Sequence, residues 1–172
     1  MPNAYPAVTL KTPTAADLPF YFNYRSNPAI AAAEGRIPDQ TTAQAQKHLH
    51  MIIAGNGSAN YSWFIVPAGT ETPVGTIAIW GFSADRTTAE LAYGLLPKFQ
   101  HHGYMHAALA QVTAFAFSRL QLTRLDCYTA ASNTPSLNLL TSSGFTHRET
   151  ITEDNLAGEP TTMVIYAQDR PL

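Results

Sequence analysis

The apolar positions change period along the chain, and each change marks an element. Residues 6–11 alternate apolar and polar and stop at Pro13, which predicts a short first strand. Thr14-Ala15-Ala16-Asp17 sets a threonine N-cap before a run in which Phe20, Tyr21 and Tyr24 recur at helical spacing, and Asn27-Pro28 ends or bends that helix. Ala45, Leu49, Ile52 and Ile53 share one face of a second helix, capped by Thr41 or Thr42, with Gly55 as its stop. Three β-branched and aromatic runs follow at 61–66, 74–80 and 89–95, parted by turn-forming residues, and read as an antiparallel meander. Met105, Ala108, Leu109, Val112, Phe115, Ala116 and Leu120 then mark one face of a long helix. A strand at 124–129, a helix at 135–143 closed by Gly144, and strands at 145–152 and 161–167 complete the chain. The order β-α-α-β-β-β-α-β-α-β-β is an α+β (mixed α/β) plan, one sheet of about seven strands flanked by about four helices.

Composition narrows what such a domain does. The chain has 172 residues, 45% of them hydrophobic and 13% charged, which suits one packed domain over residues 1–172 and excludes a mainly disordered chain. A formal net charge of −2 argues against nucleic acid as a partner. The single cysteine, Cys127, has no partner for an internal disulfide and cannot build a cysteine zinc site; His48 and His50, two apart on a helix, share no face, so no metal is expected. No apolar run reaches the ~20 residues of a membrane helix. The start, Met1-Pro2-Asn3-Ala4-Tyr5-Pro6, lacks the basic and apolar regions of a secretory leader, so the expected location is the cytoplasm.

The chemistry concentrates where a strand gives way to the long helix. Leu95-Leu96-Pro97 ends the strand, and Gln100-His101-His102-Gly103-Tyr104-Met105 leads straight into the helix. A strand, a glycine-containing turn and a helix N-terminus present free backbone N–H groups backed by the helix dipole, a site for phosphate or pyrophosphate. On that feature alone, Gly103 equally well just permits a tight turn.

Gln100-x-x-Gly103-x-Met105, followed by Asn133-x-x-Ser136 and Gly144-Phe145, resembles the Q/R-x-x-G-x-G/A and N-x-x-S/A…G-F elements of the GNAT superfamily of N-acetyltransferases. Ala89-Glu90-Leu91-Ala92-Tyr93-Gly94-Leu95 and the turn-helix from Gln100 to Leu109 are similar to its ribosomal-protein N-terminal acetyltransferase branch. The resemblance implies a twisted mixed sheet splayed between its fourth and fifth strands, with acetyl-CoA as co-substrate in the splay. It places the pyrophosphate on the backbone of Gln100, His101, His102, Gly103, Tyr104 and Met105. It lays the pantetheine arm along Leu95 and Leu96, and gives Asn133 that arm or its loop to hold. His101, Met105 and Ala107 stand where the branch has glycine, a small residue and glutamate; a Cβ at 101 restricts positive φ, and two imidazoles beside a pyrophosphate add charge near their ordinary pKa of ~6.5. A homodimer is compatible with the resemblance.

Acetyl transfer to an amine requires a base for the ammonium, a donor to the carbonyl oxygen and a hydrogen-bond donor to the leaving sulfur. Glu90, on the strand that delivers Leu95, is the first candidate base. Glu34, after the first helix, is either an acceptor contact or a solvated charge, and Trp80, Tyr93 and Tyr24 are candidate acceptor contacts or core aromatics, Trp80 first among them. The tyrosine that many superfamily members carry seven residues after the motif asparagine is Leu140 here, which leaves the Ser136 hydroxyl as candidate acid or merely a first-turn helix cap. Direct transfer makes Cys127, mid-strand between Asp126 and Tyr128, a small core residue rather than a nucleophile. The reading is an acetyl-CoA-dependent transferase to a primary amine, on a protein N-terminus or a small molecule. The alternatives are a non-catalytic CoA-binding module of the same fold and a different phosphate-ligand protein.

Overall fold

The first helix breaks at Asn27, and a further helix starts there. The structure, a computed structural model, describes residues 4–172; the leader expectation rests in part on residues 1–3, which lie outside these. α1 (Leu18–Ser26) ends at Asn27, whose side chain accepts from the N–H groups of Ala29 and Ile30. Pro28 opens α2 (Pro28–Ala33), where its missing N–H leaves no bond unmade. Five α-helices therefore stand among the described residues where four were expected, and Glu34 is the C-cap of α2 rather than a free loop residue. Thr14 is the N-cap, as expected, of a short 3-10 turn (Ala15–Asp17) that leads into α1, and its N–H and hydroxyl both donate to the Asp17 carboxylate. α3 (Thr42–Gly55) starts as expected, with Thr41 accepting from the Gln44 N–H and the Gln44 side chain accepting from the Thr41 N–H.

The strands are β1 (Val8–Lys11), β2 (Tyr61–Pro67), β3 (Gly75–Trp80), β4 (Thr88–Leu95), β5 (Arg124–Ala130), β6 (Thr146–Asp154) and β7 (Pro160–Asp169). They form one sheet in the order β1-β2-β3-β4-β5-β7-β6. Every neighbouring pair is antiparallel except β4 and β5, which α4 (Tyr104–Ser118) joins by a crossover. α4 buries Met105, Ala108, Leu109 and Val112 against Ile77, Ile79, Leu91 and Leu125 on one face. α5 (Thr134–Ser142) adds Leu139 and Leu140 to that core. On the opposite face Tyr21, Tyr24, Ile30 and Leu49 pack on Phe64 and Leu96.

One feature of this sheet positions the site. β4 and β5 pair only through Thr88, Ala89 and Glu90 with Arg124, Leu125 and Asp126. Beyond Glu90 and Asp126 both strands continue, β4 to Leu95 and β5 to Ala130, without pairing. A V-shaped gap opens in the middle of the sheet, between its fourth and fifth strands.

Candidate active site

At the unpaired end of the gap, hydrogen bonds already made decide which backbone groups are free. The Leu96 N–H donates to Val74 O at 2.8 Å and its carbonyl accepts from Phe99 N at 2.9 Å, so the Leu96 backbone is committed within the chain and its side chain is buried. The alternation of an antiparallel ladder turns the backbone groups of Tyr93 and Leu95 the other way, toward the gap. Gln100 Nε2 donates to Leu95 O at 3.2 Å and ties the turn to the strand end. An added chain therefore meets the edge of Tyr93 and Leu95, with Leu96 as packing.

The turn that follows bends through two left-handed residues. His101 has φ +63° and Gly103 φ +85°. The histidine thus adopts the conformation that its Cβ disfavours, at a site where the resembled motif has glycine. A Cβ at Gly103 would stand 3.0 Å from Pro6 and 3.1 Å from Tyr5, so a side chain there is strained by φ and crowds the segment packed over the turn. The first bond along the helix from this turn runs from the Ala107 N–H to Gly103 O at 3.2 Å, which leaves the N–H groups of Tyr104, Met105 and His106 ahead of it. Met105 contributes only its backbone here, since its side chain is buried in the core. His102 is exposed and stacks on Tyr104.

A cavity of about 560 Å³ lies between this turn and α5, lined by His101, His106, Thr134, Pro135, Asn138, Leu139 and Ser142. His106 Nε2 and Ser142 Oγ meet at 2.8 Å across it. The ring of Tyr5 stacks on His106 at 4.5 Å. Asn133 Oδ1 accepts from the Ser136 N–H at 3.3 Å and so caps α5.

At the centre of the gap, Tyr93 Oη lies 2.5 Å from Ser136 Oγ. This contact joins β4 to α5 where the strand ladder has lapsed. Burial raises the Tyr93 phenol well above its usual range. Cys127, buried beside it, is pushed up to about 12, mainly by burial. Leu140 is fully buried in the core.

The other face carries carboxylates. Glu90 is the register partner of Trp80 on β3 and of Asp126 on β5. Burial, then the charges of Asp126 and Glu153, raise its pKa above the ordinary carboxylate value. Trp80 is 49% exposed and Tyr128 38% exposed, and Asp126 pairs with Arg124. Further along β4, Tyr24 crosses over Gly94, where a Cβ would stand 2.0 Å from its hydroxyl. That hydroxyl donates to Glu34 Oε1 at 2.7 Å, and Arg36 Nε donates to Glu34 Oε2 at 2.5 Å. The Ala157 N–H donates to Gly35 O at 3.0 Å, so the turn between β6 and β7 docks beside Glu34.

His101 and the α4 N-terminus meet α5 across the cavity. Glu90 and Trp80 are register partners at the paired end of β4, whereas Glu34 lies by Gly94 further along it and Tyr24 is buried beside it rather than exposed to an acceptor. The sequence reading missed Tyr93 as a partner of Ser136, although Tyr93 lies two residues from Leu95 on the same edge. It also missed His106, Asn138 and Ser142, whose place on the cavity follows from how α4 and α5 face each other and leaves no local motif.

Residues 7–146 match the acetyltransferase (GNAT) domain family, and the chain belongs to that family. It is 26% identical over 140 residues to the uncharacterized N-acetyltransferase p20 of Bacillus licheniformis, covering 80% of this chain and 78% of that one. Its fold is that of the spermidine N-acetyltransferase of Vibrio cholerae in complex with CoA and spermine, with TM-score 0.84 and 18% identity over 95% of each chain. A ribosomal-protein alpha-N-acetyltransferase in complex with CoA superposes with TM-score 0.85 and 17% identity, over 98% of this chain and 96% of that one. No group of three or more metal-ligating side chains occurs among the described residues, and no helix among them is long and apolar enough to cross a membrane.

Proposed function

We propose that this enzyme transfers the acetyl group of acetyl-CoA directly to a primary amine, on a small molecule or a protein N-terminus, within a ternary complex. The observation that carries this reading is the gap itself. β4 and β5 part beyond Glu90 and Asp126, the cavity between the turn and α5 lies at the far end of β4, and Glu90 stands where the pairing stops, its carboxylate disfavoured by burial. The turn from Gln100 to Met105 and the N-terminal amides of α4 would hold the pyrophosphate, and the edge of Tyr93 and Leu95 the pantetheine arm. The thioester supplies the activated acyl group.

The chain's residues do the rest. Glu90 takes the proton from the ammonium, directly or through a water, so that the amine nitrogen attacks the carbonyl carbon. Backbone N–H groups on the free edge of β4 stand as donors for the carbonyl oxygen. As the C–N bond forms and the C–S bond breaks, the electron pair leaves on sulfur, where the Ser136 hydroxyl donates a hydrogen bond. Trp80 and Glu34 contact the acceptor, and Tyr24, buried over Gly94, holds Glu34 in place rather than touching the acceptor. The carboxylates of Glu90, Asp126, Glu149 and Glu153 on that face favour an acceptor that arrives as a cation.

A covalent route through Cys127 is disfavoured by its environment. A thiol pushed up to about 12 by burial stays almost wholly protonated near neutral pH. The test is release of free CoA thiol from acetyl-CoA on a panel of amines: a diamine, a polyamine, an amino acid and a peptide with a free N-terminus. Acceptor-dependent thiol release is expected, and Cys127→Ala is expected to retain kcat within about twofold. Tight acetyl-CoA binding without turnover on any amine would make the chain a CoA-binding module instead. Loss of activity in Cys127→Ala, with an acetylated cysteine trapped in the parent, would replace direct attack with a ping-pong route.

A further inference from the structure

This inference rests on the acetyl-transfer reading and concerns the sulfur that leaves. The position where many relatives of this fold carry a tyrosine acid is Leu140, fully buried in the core and unable to donate. Two hydroxyls stand at the gap instead, Ser136 on α5 and Tyr93 on β4, with their oxygens 2.5 Å apart. The backbone around Ser136 is fixed: Asn133 accepts from its N–H at 3.3 Å, and Pro135 stands in the first turn of the helix. What remains to be set is the direction of the serine's single proton.

A hydroxyl has one proton to give and two lone pairs to accept with. A Ser136 that donates to Tyr93 has nothing left for the sulfur; a Ser136 that accepts from Tyr93 keeps its proton free. Burial holds the Tyr93 phenol protonated across the working pH range. Its other neighbour, the Cys127 thiol, is neutral and a weak acceptor. We infer that Tyr93 donates to Ser136 Oγ across the gap and so commits the Ser136 proton to the leaving sulfur, which makes Tyr93 the positioning residue for the proposed acid. No bond changes at Tyr93 or Ser136. The thiolate formed as the C–S bond breaks is held by the Ser136 hydrogen bond until it takes up, through solvent, the proton released from the ammonium.

The test compares the parent with Tyr93→Phe, Ser136→Ala and the double variant. Each single change lowers kcat about tenfold, with KM for acetyl-CoA held within about twofold, and the double variant is no slower than Ser136→Ala. A second readout needs no acceptor. The thiol of bound CoA, followed by the ultraviolet absorbance of its thiolate, titrates about one pKa unit lower in the parent than in either single variant. Replacing Tyr93 with 3-fluorotyrosine, nearly isosteric and a stronger donor, lowers that titration further, and it serves if Tyr93→Phe does not fold. If no amine is turned over but the thiol shift is present and lost in both variants, the acetyl-transfer reading fails and the Tyr93–Ser136 device stands. An unchanged thiol titration in Tyr93→Phe, or rate losses that multiply in the double variant, overturns the device whether or not turnover is seen.

Discussion

Glu90→Gln is expected to lower the rate of amine acetylation by about 10²-fold or more, the scale of a lost general base, and to raise the thermal midpoint. The two effects share a cause. Burial and the charges of Asp126 and Glu153 disfavour the Glu90 carboxylate, so its folded-state pKa lies above its unfolded value. A group shifted in that direction contributes stability below its unfolded pKa and loses it as pH rises through the folded one. Above its folded-state pKa the carboxylate is ionised and destabilising, and the neutral amide relieves it; well below that pKa parent and variant should unfold at nearly the same temperature. The parent's rate should fall on the acid side at a pH above the ordinary carboxylate value of ~4.3, and that limb should be missing from the residual activity of the variant. Activity within twofold of the parent would remove Glu90 from the mechanism.

Gly94→Ala is the second large effect, and its sign runs against the usual one. Where φ permits, glycine to alanine stabilises by ~0.4–1 kcal/mol through the unfolded chain. Here the new Cβ would stand 2.0 Å from Tyr24 Oη and 3.1 Å from its Cζ. Tyr24 is 2% exposed and held by Glu34, so the ring has little room to withdraw. Moving it breaks the bond to Glu34 and leaves a buried hydroxyl unpaired. Overpacking and the lost bond together cost on the order of 3 kcal/mol, a fall of about 10 °C at ~2–4 °C per kcal/mol for a chain of this size. Thermal unfolding measures it. Adding Tyr24→Phe removes the atom that clashes first and should recover part of the loss. A midpoint at or above the parent's would mean that Tyr24 does not sit on β4 as described.

These two sites show what was legible in the sequence and what was not. The alternation at 89–95 and the helical period from Met105 onward lie in local spacing, so the strand, the turn and the helix that frame the donor site can be read directly. Glu90 could be assigned to the gap because it shares a strand with Leu95. The break at Asn27 was visible, but the helix after it was not: six residues from Pro28 to Ala33 carry too little periodicity to separate a short helix from a loop. The Thr14 N-cap is legible because a threonine with an acid three residues on is a capping box, and Asp17 completes it. The pairs Tyr93–Ser136, Tyr24–Gly94 and His106–Ser142 join residues 36 to 70 positions apart, and only the packing of α4, α5 and α1 on the sheet brings them together.

The central claim is that a coenzyme A thioester occupies the gap with its phosphates on the turn before α4. The most direct measurement is thermal unfolding of the parent and of His101→Glu with increasing acetyl-CoA. His101 is exposed and lines the cavity, so a carboxylate there repels a pyrophosphate with little harm to the fold. The parent's midpoint should climb with ligand, reaching about 2.7 kcal/mol of stabilisation at a hundred times the dissociation constant, while the variant gains much less. A parent that shows no shift at millimolar acetyl-CoA, or a variant that shifts as far as the parent, would contradict the account.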